Sequence, residues 1–231
     1  LECIFYEGEL QENAIIEAPE SEIKHIRALR LSEGDKLNVT NGKGSFADAI
    51  ISKSDKSGVS ICLQNICFGQ GETGFRFGLA FGILSKLDYF EYAFQKAIEL
   101  GITDFYPLTG KYVQKSCINS ARLSMKAIAA IKQSKRSTLP VIHFPMNIND
   151  VLGEWNNESY VILADESGNS PTKQKLNGKP RLVFVGCEGG FSDDEQKTIT
   201  NDPRTIVWNL GNRRLRAETA AVLAVGIASL I

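Results

Sequence analysis

Apolar residues in the first third of the chain fall in short runs with polar neighbours between them. Leu37 and Val39, then Phe46, Ala49 and Ile51, then Val59, Ile61 and Leu63 are separated by Gly34-Asp35, Asn41-Gly42-Lys43-Gly44 and Asp55 to Gly58. Strand-length runs bounded by turn chemistry predict a small β-barrel or sheet. Ahead of them, Ser21 to Leu31 sets Ile23, Ile26, Ala28, Leu29 and Leu31 at helical spacing, with Glu22 near the start. A short helix is predicted there. The polar, glycine-rich stretch Phe68 to Gly74 reads as a hinge, so domains of 1–70 and 74–231 are expected.

Beyond the hinge the pattern alternates. Strands are predicted over Phe75–Phe81, Ile102–Leu108, Pro140–Phe144, Tyr160–Ala164, Leu182–Val185 and Thr205–Leu210. Helices are predicted over Lys86–Leu100, where Phe90, Phe94, Ala97 and Ile98 form a stripe, over Ser120–Gln133, over Ile148–Trp155, after Ser192, and over the apolar end Ala220–Ile231. Alternation of this kind predicts an α/β domain whose parallel sheet is covered by helices, with ligands at the carboxyl ends of the strands.

Net charge of -1 hides a local bias. Between Asp104 and Asp150 there is no acidic residue, whereas Lys111, Lys115, Arg122, Lys126, Lys132, Lys135 and Arg136 occur there. Such a tract can bind a polyanion although the whole chain is near neutral. The 5 cysteines form no CxxC pair and only His25 and His143 accompany them, so no metal site is expected. Reduced cytoplasmic thiols, no signal peptide and no membrane span are the plain expectations.

Two strand ends carry the candidate chemistry. After Leu182–Val185 come Gly186, Gly189 and Gly190 around Glu188, then Ser192 and Glu195 at capping-box spacing. Glycines here let a ligand lie against bare backbone, although a plain strand-to-helix turn would use one of them. The run is neither GxGxxG nor a Walker loop. After the next strand come Gly211, Arg213, Arg214, Arg216 and Glu218. Arg216 and Glu218 could pair across the helix start; alternatively Arg216 faces a nucleic acid while neighbouring main chain holds a cofactor.

The motifs GCEGGFSDDE at 186–195 and LGNRRLRAETA at 210–220 resemble those of the bacterial family that methylates N3 of a uridine in small-subunit (16S) ribosomal RNA, part of the knotted SPOUT methyltransferase superfamily. HIRALRLSEGDKLNVTNGKG at 25–44, FQKAIELGITDFYPL at 94–108 and AIAAIKQSKRSTLPVI at 127–142 extend the resemblance along nearly the whole chain. Cys187 stands where the family usually has Pro, Arg214 and Ala217 where it has Ile and Thr, and Thr109-Gly110-Lys111 where it often has a Glu-Arg pair.

The resemblance implies a PUA-like β-barrel RNA-binding domain, then a SPOUT α/β domain with a deep trefoil knot, in a homodimer. It also implies S-adenosylmethionine held by three loops. These are Leu163, Ala164, Asp165 and Glu166; Gly186, Cys187, Glu188, Gly189 and Gly190; and Leu210, Gly211, Asn212, Arg214, Leu215 and Arg216. Uridine N3–H is a weak acid, so the transfer needs a stabiliser of the charge that spreads onto O2 and O4. Arg216 is the expected stabiliser, with Glu218 orienting it or accepting the proton. His143, in a Val-Ile-His-Phe strand, reads as structural. RNA phosphates are expected on Arg27, Arg30, Lys36 and Lys43, and on Lys111, Arg122, Lys126, Lys135 and Arg136, with Arg122 and Lys126 four apart on one helical face. Methylation of another RNA base, and a catalytically silent RNA-binding ribosome assembly factor, are the other readings left open.

Overall fold

A computed structural model describes residues 1–114, 117–171, 176 and 178–231, and the chain divides into two compact units. Lys115 of the basic tract lies outside the described residues. The first unit comprises Leu1–Glu72 together with Ile128–Leu139. Its strands are β1 (Cys3–Phe5), β2 (Ile15–Glu17), β3 (Lys36–Thr40), β4 (Ser45–Ser54) and β5 (Val59–Phe68), with helix α1 (Glu20–Ala28) between β2 and β3. They form one sheet in the order β1-β3-β4-β5-β2, with β3, β4 and β5 an antiparallel meander. Period-two alternation turns Leu37, Val39, Ala49, Ile51, Val59, Ile61 and Leu63 to one face, where they bury Ile26 of α1. The edge strands β1 and β2 were not anticipated by the sequence pattern.

The expected hinge is anchored within this unit. Glu72 accepts hydrogen bonds from Arg136 Nη2 at 2.6 Å and from the Thr138 backbone N–H at 2.9 Å. A side chain at Gly71, whose φ is +72°, would meet the Lys135 carbonyl at 3.0 Å. Residues 128–139, which sequence reading assigned to the second domain, therefore pack with the first.

The second unit, Thr73–Ala127 and Pro140–Ile231, contains β6 (Phe77–Gly82), α2 (Leu87–Glu99), β7 (Asp104–Leu108), the start of α3 (Ser120–Ser134), β8 (Val141–Ile142), α4 (Ile148–Gly153), β9 (Tyr160–Asn169), β10 (Arg181–Val185), α5 (Asp193–Thr200), β11 (Thr205–Trp208) and α6 (Ala217–Leu230). The six strands are all parallel, in the order β11-β9-β10-β6-β7-β8. Aromatic contacts seat α2 on the sheet: Phe90 stacks on Phe81 with centroids 5.4 Å apart, and Phe94 meets Phe105 at 4.5 Å. A second cluster joins Val151, Leu152 and Trp155, from α4 and the residues after it, and Ile199 of α5 to Leu163, Leu182 and Phe184. Apolar α6 buries Ala221, Ala224, Val225 and Ala228. No helix among the described residues is long and apolar enough to cross a membrane.

At the start of β7, Asp104 accepts from Arg76 Nη2 at 2.8 Å and Thr103 Oγ1 at 2.7 Å. His143 Nε2 lies 3.2 Å from the same carboxylate, and its ring stacks on Tyr106 at 3.9 Å. His143 is thus a satisfied structural residue. Burial alone would push the Asp104 carboxyl up, but Arg76, Thr103 and His143 together hold it below the ordinary value of 3.8. A depressed carboxyl contributes stability that is complete above its unfolded pKa and is lost as pH falls through the folded one. Thermal unfolding followed across pH 2 to 6, on the order of two units either side of that value, should therefore show a shallower acid-side decline in Asp104→Asn than in the parent chain. Identical slopes would remove Asp104 from the acid-labile set.

Candidate functional site

The carboxyl ends of β6, β10 and β11 and the distal half of β9 lie on one side of the second sheet, and hydrogen bonds tie these segments together. The all-apolar core of β10 ends at Gly186, where a Cβ would lie 2.7 Å from the Gly190 carbonyl carbon. The turn closes through the Gly190 N–H donating to the Cys187 carbonyl at 2.9 Å, with Gly190 at φ +70°. No L side chain fits both demands without strain. α5 then starts on the predicted capping box: Ser192 Oγ accepts from the Glu195 N–H, and the Glu195 carboxylate accepts from the Ser192 N–H at 2.8 Å. Its other oxygen accepts from the Lys111 N–H at 2.9 Å, tying in the loop after β7. Burial would raise the Glu195 carboxyl, but these main-chain donors outweigh it and keep the group below its ordinary range.

Glu188 makes the corresponding tie to β6. Ser85 donates to its Oε1 from the backbone at 2.9 Å and from Oγ at 2.5 Å. Burial works against the charge, yet the donors at Ser85 and Lys86 hold the carboxyl low, so Glu188 is an anion at neutral pH. The first and third loops are likewise joined. β9 continues past Ala164 because β11 pairs with it again at Trp208↔Asn169, after a register shift. Asn209 Nδ2 donates to the Glu166 carbonyl at 2.8 Å, and its Oδ1 accepts from the Gly211 N–H at 2.8 Å. Gly211, at φ +121°, makes the turn into α6.

These loops enclose a pocket of about 830 Å³, large enough for a nucleoside-sized ligand. Of the sequence-predicted residues, Ala164, Asp165, Glu166, Gly186, Cys187, Glu188, Gly189, Gly190, Leu210, Gly211, Arg214, Leu215, Arg216 and Glu218 line it. Leu163 does not; it is fully buried in the sheet core, and Asn212 is exposed outside the lining. Sequence reading missed Ser85, Lys86 and Tyr89, which the end of β6 and start of α2 deliver, as well as Asn209; Arg213, named among the candidate residues but not as a cofactor contact, lines the pocket too. The available signal was Gly82-Ile-Leu-Ser-Lys closing a strand of the same sheet.

Arg213, Arg214 and Arg216 are exposed at the pocket, so their charges keep water and carry little desolvation cost. Among the described residues Arg216 has no carboxylate partner; the pairing with Glu218 that the sequence left open is not formed. α6 begins at Ala217 with Arg216 as N-cap and no side-chain cap, and Ala217, Glu218 and Ala220 face the pocket. The N-terminal end of a helix dipole is thus available to an anionic group there.

The expected phosphate contacts divide. Arg30, Lys36, Lys111 and Lys135 are exposed. Lys43 Nζ donates to the Glu7 carbonyl at 2.9 Å and Arg27 to the Asp55 carbonyl at 2.8 Å, both from exposed positions. Arg136 is corrected: it is 2% exposed and paired with Glu72, out of reach of a phosphate. Arg122 and Lys126 share one partner, Glu91, at 2.6 and 3.3 Å, and Lys132 binds Glu22 at 2.7 Å. The tract has no acidic residue in sequence, but its acidic partners come from elsewhere in the chain.

The profile of the RNA methyltransferase domain family matches residues 72–229, and that of the RNA methyltransferase PUA domain matches 19–61. Over 233 residues the chain is 32% identical to the Ribosomal RNA small subunit methyltransferase E of Rickettsia conorii, spanning 99% of this chain and 95% of that one. A probable rRNA-methyltransferase from Porphyromonas gingivalis superposes with a TM-score of 0.84 at 27% identity, covering 97% and 95% of the two chains. The fold is also that of a Ribosomal RNA small subunit methyltransferase E from Neisseria gonorrhoeae, solved bound to S-adenosyl methionine: the TM-score is 0.85 at 22% identity, again over 97% and 95%. With a profile covering more than half its length and full-length similarity to the rickettsial relative, the chain belongs to the ribosomal RNA small subunit methyltransferase E family.

Proposed function

We propose that this protein transfers the methyl group of S-adenosylmethionine to N3 of a uridine in small-subunit ribosomal RNA, as a cytoplasmic homodimer. The observation that carries the reading is one pocket, built where two glycine-bearing loops meet the distal half of β9, with an arginine at its rim that has no carboxylate partner among the described residues. When bound, the cofactor supplies an electrophilic methyl on sulfur. Bare backbone at Gly186, Gly189, Gly190 and Gly211 admits a flat adenosyl group close to main chain, and the open start of α6 suits a carboxylate. Arg216 would stabilise the negative charge that spreads over O2 and O4 as N3 gives up its proton. Glu218, facing the pocket and not bound to Arg216, takes up that proton, directly or through water.

The first unit and the exposed Arg30, Lys36, Lys43, Lys111 and Lys135 hold RNA phosphates, and the target base is extruded into the pocket. Leu223 and Leu230, 38% and 86% exposed on an otherwise apolar α6, are the surface a second copy would cover. The trefoil knot of the superfamily belongs to this proposal, threaded through the three loops.

Calorimetry with S-adenosylmethionine and methyl transfer to small ribosomal subunits, followed by nucleoside mass analysis, test the reading. Binding of one cofactor per subunit and 3-methyluridine in the ribosomal RNA are expected. Absence of cofactor binding would favour a silent RNA-binding factor, and a different methylated nucleoside would replace the substrate atom.

A further inference from the structure

What holds Arg216 in place is not a carboxylate. Among the described residues, its guanidinium is recorded against the ring of Tyr89, with Cζ 6.0 Å from the ring centroid. Tyr89 sits in the first turn of α2, lines the same pocket and is 40% exposed. Its neighbour Phe90 is buried and stacked on Phe81 at an interplanar angle of 7°, which fixes the turn that carries the tyrosine.

We propose that Tyr89 is the positioning residue for Arg216, a role that rests on the reaction assigned above. An arginine that must meet charge developing on a base needs a defined direction and its full positive charge. A carboxylate partner would give direction but neutralise the charge and occupy the N–H fork. The negative face of an aromatic ring attracts the guanidinium, accepts no conventional hydrogen bond from it and leaves the fork free for the base oxygens. Lys86 Nζ lies 5.7 Å from the same ring centroid, so two cations share one neutral anchor.

The test is a double-mutant cycle of Tyr89→Leu and Arg216→Ala, with Tyr89→Phe as the conservative variant. Tyr89→Phe should keep kcat within about twofold, while Tyr89→Leu lowers it on the order of fivefold, the strength of an exposed cation–π contact. The loss in Tyr89→Leu should fall on kcat and not on the KM for ribosomal particles. Tyr89→Leu should cause no further loss once Arg216 is alanine. A readout free of turnover is the Arg216 Nε–H resonance of the protein without cofactor, which should move in Tyr89→Leu and hold in Tyr89→Phe. Additive losses in the cycle, an unchanged kcat in Tyr89→Leu, or an unmoved Arg216 resonance would overturn the proposal. Failure of the parent chain to methylate would sink the assigned reaction, whereas the resonance would still decide whether Tyr89 holds Arg216.

Discussion

Arg216→Ala is expected to lower kcat for methyl transfer by about two to three orders of magnitude, the loss seen when one preorganised donor to a developing anion is removed. The fold should survive. Arg216 is exposed, forms no ion pair among the described residues and contributes no side-chain cap to α6, so the change lies within the small range of ordinary surface substitutions. Arg216→Lys should recover part of the loss: it restores the charge without the planar fork that can address a base oxygen along two N–H bonds. Glu218→Gln separates stabilisation of charge from removal of the proton. If Glu218 accepts the N3 proton, the rate in the glutamine variant should be low at neutral pH and recover as rising pH ionises the uracil itself. Single-turnover rates on small ribosomal subunits, with thermal unfolding as the control, check both. Near-normal turnover in Arg216→Ala would take it out of the chemistry.

Legibility in the sequence followed how local the determining interactions are. The meander β3-β4-β5, the aromatic stripe of α2 and the Ser192–Glu195 capping box could be read because each depends on neighbours a few residues apart. The three-residue strands β1 and β2 could not, since runs that short carry no periodicity and exist by pairing with β3 and β5. β9 ran on through polar Asp165-Glu166-Ser167-Gly168-Asn169 because β11 pairs beside it, again a long-range cause. The glycine loops of the pocket were visible, but the contribution of β6 was not: the Ser85–Glu188 contact joins residues 103 apart. For the same reason an acid-free stretch proved a poor guide to free positive charge. Lys132 finds Glu22 across 110 residues and Arg136 finds Glu72 across 64, and only the fold brings them together. Family resemblance supplied what locality withheld, by naming loops whose convergence no single segment discloses.

Gly82→Ala should abolish the pocket at its base. Gly82 is the last residue of β6, buried and paired with Leu108 of β7. A Cβ there would lie 2.3 Å from the Cys187 nitrogen, 2.9 Å from the Gly186 carbonyl carbon and 3.0 Å from the Cys187 Cα. All three are backbone atoms, so no rotamer change relieves the clash. Nor can the second loop retreat easily, because Gly186 is already pressed onto Gly190 and Glu188 is bound to Ser85. One added methyl must therefore separate β6 from β10 or push the second loop into the pocket. Overpacking of this kind costs about 1 to 3 kcal/mol. For a chain of this size, a loss of about 2 kcal/mol lowers Tm by roughly 4 to 8 °C. Cofactor affinity should fall by more than about tenfold, since that loop lines the site. Gly153→Ala is the matched control: at the end of α4 an added Cβ meets nothing within 4 Å, and alanine there should be neutral or stabilising. Calorimetry and thermal unfolding of the two variants decide the matter. If Gly82→Ala binds S-adenosylmethionine and melts like the parent while Gly153→Ala does the same, the close seating of the second loop on β6 is not what shapes the site.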